Sequence, residues 1–169
     1  MKIFLVGFMG SGKSSVARVL AQKLNLSFFD TDHEIVASTG KSINEIFEKD
    51  GESHFRELEK LTIQNLQNKD NCVIACGGGL PCHNNLMREL NNQGITVYLK
   101  LSSERLFDRL QKDSNKRPLL LGKNESEMKK YISHLLDERE FYYSQSQFKI
   151  SIKDHNAEEV ADAIVKYIK

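Results

Sequence analysis

A glycine-rich stretch near the amino terminus, residues 7–14, constrains this chain more than any other feature of its sequence. It reads Gly-Phe-Met-Gly-Ser-Gly-Lys-Ser and matches the phosphate-binding pattern Gly-x-x-x-x-Gly-Lys-Ser/Thr. The apolar run at residues 2–6 predicts a buried parallel strand before it, and apolar residues at helical spacing follow it. In a strand–loop–helix arrangement, backbone N–H groups and the helix N-terminus together hold phosphate oxygens. The chain is therefore expected to bind a nucleoside triphosphate.

The loop also supplies side chains suited to phosphoryl transfer. Lys13 is expected to reach the β- and γ-phosphates and to act in catalysis, and the Ser14 hydroxyl is expected to bind Mg²⁺. The residues expected to contact the nucleotide in this stretch are Gly10, Ser11, Gly12, Lys13, Ser14 and Ser15.

Length and charge narrow the class of protein. The 169 residues suit a single domain over residues 1–169. Because the net charge is only +1, no large basic surface is expected to draw nucleic acid or an anionic membrane. A strand predicted from Lys2 leaves no room for a signal peptide, and no apolar run approaches membrane-spanning length. We therefore expect a cytoplasmic protein.

Three cysteines, Cys72, Cys76 and Cys82, form an odd set without paired spacing. A disulfide framework is not expected in such a chain, and the first two are predicted to pack as small apolar residues. The adjacent Cys82 and His83 could suggest zinc, but no second pair of ligands accompanies them.

Strand-like and helical segments alternate along the chain. Short apolar segments predict four further strands, at residues 27–29, 72–75, 95–99 and 148–152. Capping patterns predict helix starts at Ser42 with Glu45, Asn124 with Glu127, and Asn156 with Glu159. This alternation predicts right-handed βαβ units and hence an α/β fold. A five-stranded parallel sheet would lie between two helical layers, as in the P-loop NTPases.

Helical segments between the second and third strands are expected to follow Ser42, with an interruption at Gly51. The apolar stripe predicted beyond that glycine consists of Phe55, Leu58, Leu61, Ile63 and Leu66.

A later segment, residues 112–123, is polar, lacks an apolar period and contains Pro118 and Gly122. This stretch is predicted to be an exposed, mobile loop.

Three unusual segments follow predicted strands: residues 7–14, 30–32 and 77–79. Parallel sheets bind ligands at the carboxyl ends of their strands, so all three should meet at one edge. Asp30 and Asp32 each have an ordinary interpretation as a helix N-cap. Beside a phosphate-binding loop, one of them could instead hold Mg²⁺ through water, and the other could accept a proton from an attacking hydroxyl.

Glycines at 77, 78 and 79 remove every side chain where backbone could approach a ligand, and they permit positive φ angles. A flexible hinge is the alternative interpretation of the three glycines.

Arg56, Arg117 and Arg139 are candidate anion clamps, since a guanidinium group can bind carboxylate or phosphate through two parallel hydrogen bonds. Taken singly, an arginine of this kind is more often a solvated surface charge. Arg18, Arg88 and Arg105 are expected to lie at the surface.

Taken together, these motifs closely resemble those of the shikimate kinase family. The resemblance extends through essentially the whole chain. It rests on the phosphate-binding loop at 7–14, Asp30-Thr31-Asp32, Glu45-Ile46-Phe47, Phe55-Arg56-x-x-Glu59, Gly77-Gly78-Gly79, Arg117-Pro118-Leu119-Leu120 and Arg139-x-x-x-Tyr143. The loop alone is generic, whereas the combination is specific.

The resemblance implies a function: transfer of the γ-phosphate of ATP to the 3-hydroxyl of shikimate, with Mg²⁺ as cofactor. It implies that Asp32 binds the ring hydroxyls and acts as the catalytic base, and that Asp30 helps to hold Mg²⁺. Arg56 and Arg139 would clamp the carboxylate. Substrate hydroxyls would also contact Gly77, Gly78 and Gly79, with Gly78 foremost.

The same resemblance assigns the remaining regions. Arg117, on a lid at about 112–123, would close over the transferring phosphate, and Arg109 would stack on adenine. Phe47 and Phe55 would line the substrate pocket, within a substrate-binding helical segment at about 32–66. A monomer is expected. The sequence departs from the family at Ser151 and Ala157, where an Asp and a Pro often occur near the adenine.

Three alternatives remain open at this point. Another small-molecule kinase of the same fold, such as gluconate kinase, is disfavoured by Arg117-Pro118-Leu119-Leu120 together with Asp30-Thr31-Asp32. A GTP-dependent switch would need Asn-Lys-x-Asp, whereas residues 68–71 read Asn-Lys-Asp-Asn. A noncatalytic nucleotide-binding relative should lack the base or the clamp, and Asp32, Arg56 and Arg139 are all present.

Overall fold

Five parallel strands form the centre of the computed structural model, which describes residues 1–112, 117–153 and 155–168. The strands are β1 (Lys2–Val6), β2 (Ser27–Asp30), β3 (Cys72–Ala75), β4 (Ile95–Lys100) and β5 (Phe148–Ser151). They pair in the order β2-β3-β1-β4-β5, and every pairing is parallel. The chain therefore begins in the middle of the sheet, and β3 is inserted between β1 and β2.

Helices follow the strands and cover the sheet. They are α1 (Lys13–Leu24), α2 (Thr31–Thr39), α3 (Ile43–Lys49), α4 (Glu52–Leu66), α5 (Leu86–Gln93), α6 (Ser103–Leu110), α7 (Glu125–Tyr143) and α8 (Ala157–Ile168). Two short 3₁₀ helices span Leu80–Cys82 and Pro118–Leu120. The α/β fold with a five-stranded parallel sheet, expected from the alternation of segments, is confirmed. No helix in the part of the chain described here is long and apolar enough to cross a membrane.

The central strand β1 is buried along its whole length because sheet neighbours flank it on both edges. Leu5 pairs with Ala75 of β3 on one side and Val97 of β4 on the other. Burial on both faces explains why β1 is a continuous apolar run rather than an alternating one. The glycine loop leaves this rigid strand, so the phosphate-binding backbone is supported by the middle of the core.

The helix starts follow local side-chain chemistry. Ser42 and Glu45 form a reciprocal capping box at α3, and Asn124 and Glu127 do the same at α7. Asn156 Oδ1 accepts the backbone N–H of Glu159 at 3.0 Å, and the Glu159 carboxylate accepts the backbone N–H of Asn156 at 2.8 Å. All three predicted caps are confirmed, and such a cap contributes about 1 kcal/mol.

The apolar stripe predicted for α4 was wrong at Leu61, which is 52% exposed. The buried face instead consists of Phe55, Arg56, Glu59, Thr62, Ile63 and Leu66. These residues still follow helical spacing, but polar side chains occupy the half of the face that meets the cleft. The apolar pattern therefore located the helix and correctly placed Phe55, Ile63 and Leu66 on its buried face. It left out the buried Arg56, Glu59 and Thr62, because polar residues are not part of an apolar stripe.

The predicted lid at 112–123 differs from expectation in the part that the structure describes, while residues 113–116 lie outside the described range. Leu120 is only 1% exposed, and Arg117, Pro118 and Leu119 are half-buried. Residues 117–120 are therefore packed against the protein, whereas Leu121 and Gly122 are exposed as expected. Burial of Leu119 and Leu120 supplies the reason, since apolar side chains favour contact over hydration.

Candidate active site

The phosphate-binding loop leaves β1 and leads directly into α1. Gly12 is the N-cap of α1 and has a φ of 89°, in the left-handed region that favours glycine. At Gly7, which has a φ of 146°, a Cβ atom would lie 2.7 Å from the Leu99 carbonyl oxygen. These glycines bring bare backbone to the N-terminus of α1, where unpaired N–H groups attract anions.

Lys13 lies buried within the loop. Its Nζ donates hydrogen bonds to the carbonyl oxygens of Gly7 at 2.9 Å and Phe8 at 2.7 Å. Burial, followed by the charge of Arg117, lowers the pKa of Lys13 to about 8, although Asp32 opposes the shift. A phosphate beside this ammonium group would favour its charged form.

Ser14 and Asp30 are joined across the start of the cleft. The Ser14 hydroxyl donates to Asp30 Oδ2 at 2.5 Å, while Asp30 Oδ1 accepts the backbone N–H groups of Asp32 and His33. Asp30 is therefore the N-cap of α2 as well as the partner of Ser14. Two hard oxygen donors beside a phosphate-binding loop fit Mg²⁺, which favours a few protein oxygens together with phosphate and water.

Asp32 follows on the first turn of α2. Its Oδ1 atom is buried without a hydrogen-bond partner among the described residues. Removal from water, with a contribution from the charge of Asp30, raises the pKa of the Asp32 carboxyl group, whereas Lys13 and Arg117 oppose the rise. An acceptor oxygen of this kind can take a proton from a hydroxyl group placed beside it.

Two adjoining cavities form one cleft. The first has a volume of about 310 Å³ and is lined by the phosphate-binding loop together with Asp30, Arg109 and Arg117. The second, of about 70 Å³, lies between helices α3 and α4, the glycine run and the Pro118–Leu120 turn. Both cavities are lined by Met9, Asp32, Gly77, Gly78 and Arg117. Asp32 therefore stands at the junction between a nucleotide-sized chamber and a smaller one.

Arg56 lines the smaller chamber from α4 and is only 7% exposed. Its Nη1 donates to Glu59 Oε2 at 2.8 Å, and its Nη2 donates to Glu52 Oε1 at 2.8 Å. Its Nε has no hydrogen-bond partner among the described residues. The two carboxylates orient the guanidinium group and leave one buried donor without a partner.

Arg139 enters the same chamber from α7 and is 6% exposed. Its guanidinium carbon lies 5.6 Å from the centroid of the Phe8 ring, within the range of a cation–π contact. No carboxylate of the described residues forms an ion pair with it. A buried cation without a counter-ion is costly, so the chamber favours an anionic ligand.

The glycine run at 77–79 is required by close packing. A Cβ at Gly77 would lie 2.8 Å from Asp32 Oδ1 and 2.9 Å from Glu59 Oε1. Glycine permits positive φ angles, but none of these three glycines adopts one. The peptide after β3 is instead held in place by the Gly77 N–H, which donates to Thr31 Oγ1 at 2.8 Å.

Aromatic side chains form one wall of the smaller chamber. The ring centroids of Phe47 and Phe55 are 4.8 Å apart, and both residues line the cavity. Phe55 packs with Ile35 and Ile46 in a small apolar cluster that joins α2, α3 and α4. Phe47 and Phe55 thus give the chamber an apolar wall, and the Arg56 guanidinium carbon lies 5.3 Å from the centroid of the Phe55 ring.

A groove beside the phosphate-binding loop is suited to a nucleotide base. It is lined by Ser11, Gly12, Ser15, Val16, Arg109, Ile152, His155, Asn156, Ala157 and Val160. The exposed Arg109 side chain crosses this groove, and its Nη1 donates to the Gly10 carbonyl at 3.3 Å. Ala157 lies in the groove, whereas Ser151 is exposed at the end of β5 and does not line it.

Sequence reasoning assigned no role to three residues that shape the site. Glu59 is 1% exposed and orients Arg56, and its spacing of three from Arg56 on a helix could have identified it. Thr31 holds the glycine run, and Tyr143 contacts it from α7. No sequence signal pairs Thr31 or Tyr143 with glycines so distant along the chain.

Comparisons with known proteins agree with this geometry. The family model described as shikimate kinase matches residues 9–169. The shikimate kinase of Azobacteroides pseudotrichonymphae is 39% identical over 168 residues and covers 99% of each chain. That of Flavobacterium johnsoniae is 39% identical over 166 residues, covering 97% of this chain and 96% of its own.

Solved structures give the same match in three dimensions. Shikimate kinase from Acinetobacter baumannii in complex with shikimate superimposes with a TM-score of 0.93 at 36% identity, covering 99% of this chain and 92% of that one. A deoxyadenosine kinase from M. mycoides has a TM-score of 0.63 at 17% identity, with 99% of both chains covered. The second likeness concerns the fold alone.

Proposed function

The chain belongs to the shikimate kinase family, and we propose that its two-chambered cleft transfers the γ-phosphate of ATP to the 3-hydroxyl of shikimate. The observation that carries this assignment is the convergence of Arg56 and Arg139, two buried guanidinium groups, in the smaller chamber. Shikimate presents one carboxylate and three ring hydroxyls. The arginines match the carboxylate, and the unpaired Asp32 oxygen matches a hydroxyl.

The larger chamber would hold ATP. Gly10, Ser11 and Gly12 would present backbone N–H groups to the phosphates, with Lys13 beside the β- and γ-phosphates and Ser15 at the entrance. Arg109 would cover the adenine in the adjoining groove. Ser14 and Asp30 would hold Mg²⁺, which when bound neutralises phosphate charge.

The smaller chamber would hold shikimate. Arg56 and Arg139 would bind its carboxylate, while Phe47 and Phe55 would pack against the ring. The glycine run would allow the hydroxyls to approach backbone at Gly77, Gly78 and Gly79. From the predicted substrate-binding segment at 32–66, the residues that line this chamber are Asp32, Ile43, Phe47, Phe55, Arg56 and Glu59.

Transfer would take place where the chambers meet. Asp32 would accept the proton of the attacking hydroxyl, and the positions of Lys13 and Arg117 there suit the developing phosphate charge. Pro118 and Leu119 line the smaller chamber, so closure of residues 117–123 over bound substrates would exclude water and limit hydrolysis of ATP.

We further propose that the chain acts as a monomer in the cytoplasm. Residues of one chain line both chambers, and the reaction needs an ATP supply. Elution of a single 19.3 kDa species in gel filtration and recovery of activity in the cytoplasmic fraction would support the proposal. Activity confined to a larger assembly would contradict it.

A substrate panel tests the function. ADP release should be measured with ATP, Mg²⁺ and either shikimate, gluconate or a nucleoside monophosphate. Shikimate should be the preferred acceptor, and the relatives described above give gluconate kinase no support. A kcat/KM for gluconate or a nucleotide equal to that for shikimate would overturn the assignment.

The carboxylate clamp is tested with Arg139→Ala. Loss of a desolvated charge pair should raise the KM for shikimate by roughly 10²-fold and leave the KM for ATP nearly unchanged. Arg139→Lys should recover only part of the affinity because an ammonium group cannot reproduce the guanidinium fork. The exposed Arg88→Ala serves as the control. If affinity for ATP falls instead, the arginine belongs to the nucleotide site.

A further inference from the structure

Tyr143 links helix α7 to the glycine run. The side chain is fully buried, and its hydroxyl donates a hydrogen bond to the Gly78 carbonyl oxygen at 2.5 Å. Gly78 lines both chambers of the cleft. The tyrosine therefore contacts the wall of the site from behind, without lining either chamber itself.

The same hydroxyl lies beside the carboxylate clamp. Arg139 precedes Tyr143 by one helical turn, so both side chains project from the same face of α7. Burial raises the pKa of the Tyr143 hydroxyl, while the charge of Arg139 and a hydrogen bond with it oppose the rise. A Cβ at Gly78 would lie 3.5 Å from Arg139 Nη1, so the Tyr143 hydroxyl and the Arg139 guanidinium group both lie close to Gly78.

The ring of Tyr143 is anchored from the opposite side by the sheet. Its centroid lies 5.1 Å from that of Tyr98 in β4, with an angle of 34° between the planes. The Tyr98 hydroxyl donates to Glu140 Oε2 at 2.5 Å, and Glu140 also pairs with Lys100. Packing of the two rings therefore limits the orientations of the Tyr143 side chain, whereas the polar network contacts Tyr98 only through its hydroxyl.

We propose that Tyr143 is a positioning residue for substrate binding, which holds the Gly78 carbonyl and the Arg139 guanidinium in the geometry that receives the substrate carboxylate and hydroxyls. This inference rests on the proposed function, since it concerns the shikimate chamber. The ring of Tyr143 packs in the core, whereas its hydroxyl is the group that contacts the glycine run. The proposal therefore assigns the functional effect to one oxygen atom.

The test is Tyr143→Phe, which keeps the ring and its contact with Tyr98. Loss of the hydroxyl should raise the KM for shikimate by about 5- to 10-fold, as expected for one net hydrogen bond. The kcat should change by less than about twofold, and the KM for ATP should stay constant. A merely structural role would instead leave the KM for shikimate unchanged or raise the KM of both substrates together, and either result would overturn the proposal.

Tyr98→Phe is the matched control, because it removes a hydroxyl from the other ring of the same stacked pair. That hydroxyl contacts Glu140 and not the glycine run, so its loss should affect thermal stability without raising the KM for shikimate. An equal increase in KM for both variants would contradict a specific role for Tyr143.

A double-mutant cycle with Arg139→Lys tests the coupling. If the hydroxyl acts through the arginine, Tyr143→Phe should raise KM much less in the Arg139→Lys background than in the parent. Effects that simply multiply would overturn the coupling. Failure of the parent enzyme to phosphorylate shikimate would refute the proposed function itself, whereas an active parent with an unaltered Tyr143→Phe variant would refute only this inference.

Discussion

The guanidinium group of Arg56 fills the space beside Gly79 so closely that a Cβ at Gly79 would lie 2.5 Å from Arg56 Nη1. The glycine has a φ of −90°, which any residue can adopt, so this contact and not the backbone requires it. Arg56 is in turn held by Glu59 and Glu52. The Arg56 guanidinium group can therefore occupy this position only because residue 79 has no Cβ.

Gly79→Ala should therefore displace Arg56 without preventing folding. We expect the KM for shikimate to rise at least about 10-fold, because a shifted guanidinium group loses its fork geometry toward the carboxylate. The KM for ATP and the melting temperature should change little, and both serve as internal controls. Steady-state kinetics with each substrate varied in turn would check this. An unchanged KM for shikimate would contradict the prediction, because it would mean that Arg56 can move aside without weakening substrate binding.

Asp30 and Asp32 should respond differently to the same substitution. Asp30→Asn keeps a good N-cap on α2, so we expect folding to persist and the Mg²⁺ concentration needed for activity to increase. Asp32→Asn should lower kcat by at least about 10²-fold while ATP binding survives, because an amide cannot accept the proton. Mg²⁺ titrations and calorimetric binding of ATP distinguish the two. Identical profiles would contradict separate roles.

Lys13 should make nucleotide binding depend on pH. Since burial and Arg117 lower its pKa to about 8, the free enzyme loses this proton as the pH rises through about 8. Phosphate binds the charged form, so the KM for ATP should be flat near neutrality and increase above pH 8. In Lys13→Arg the cation persists at all these pH values, and the increase should vanish. A similar increase in that variant would exclude Lys13 as its source.

Arg117 should act on the transferring phosphate rather than on substrate affinity. We expect Arg117→Ala to lower kcat much more than it raises the KM for shikimate, because transition-state charge is its target. Arg88→Ala, at an exposed position on α5, is the control.

Hydrogen exchange over residues 117–123 should slow when shikimate and a nonhydrolysable ATP analogue are both present. Unchanged exchange would count against closure.

Local chemistry made much of this fold predictable. The capping box at Ser42 and Glu45 and the glycine loop before α1 depend on residues within a few positions of one another. Their geometry follows from the covalent chain and short-range hydrogen bonds. Apolar patterning was wrong at Leu61, which is exposed, and it left out Arg56 and Glu59, which are buried where α4 lines the cleft.

By itself the sequence determined the strand–loop–helix unit that binds phosphate, the alternation of strands and helices, and the types of residue able to hold an acid with hydroxyl groups. Only the tertiary structure decided that Arg56 and Arg139 enter one chamber, and that the Tyr143 hydroxyl meets Gly78. The physical reason is that periodicity tells which face of an element is buried but not which element covers it. That partner is selected by the strand order and by packing between segments far apart in the chain.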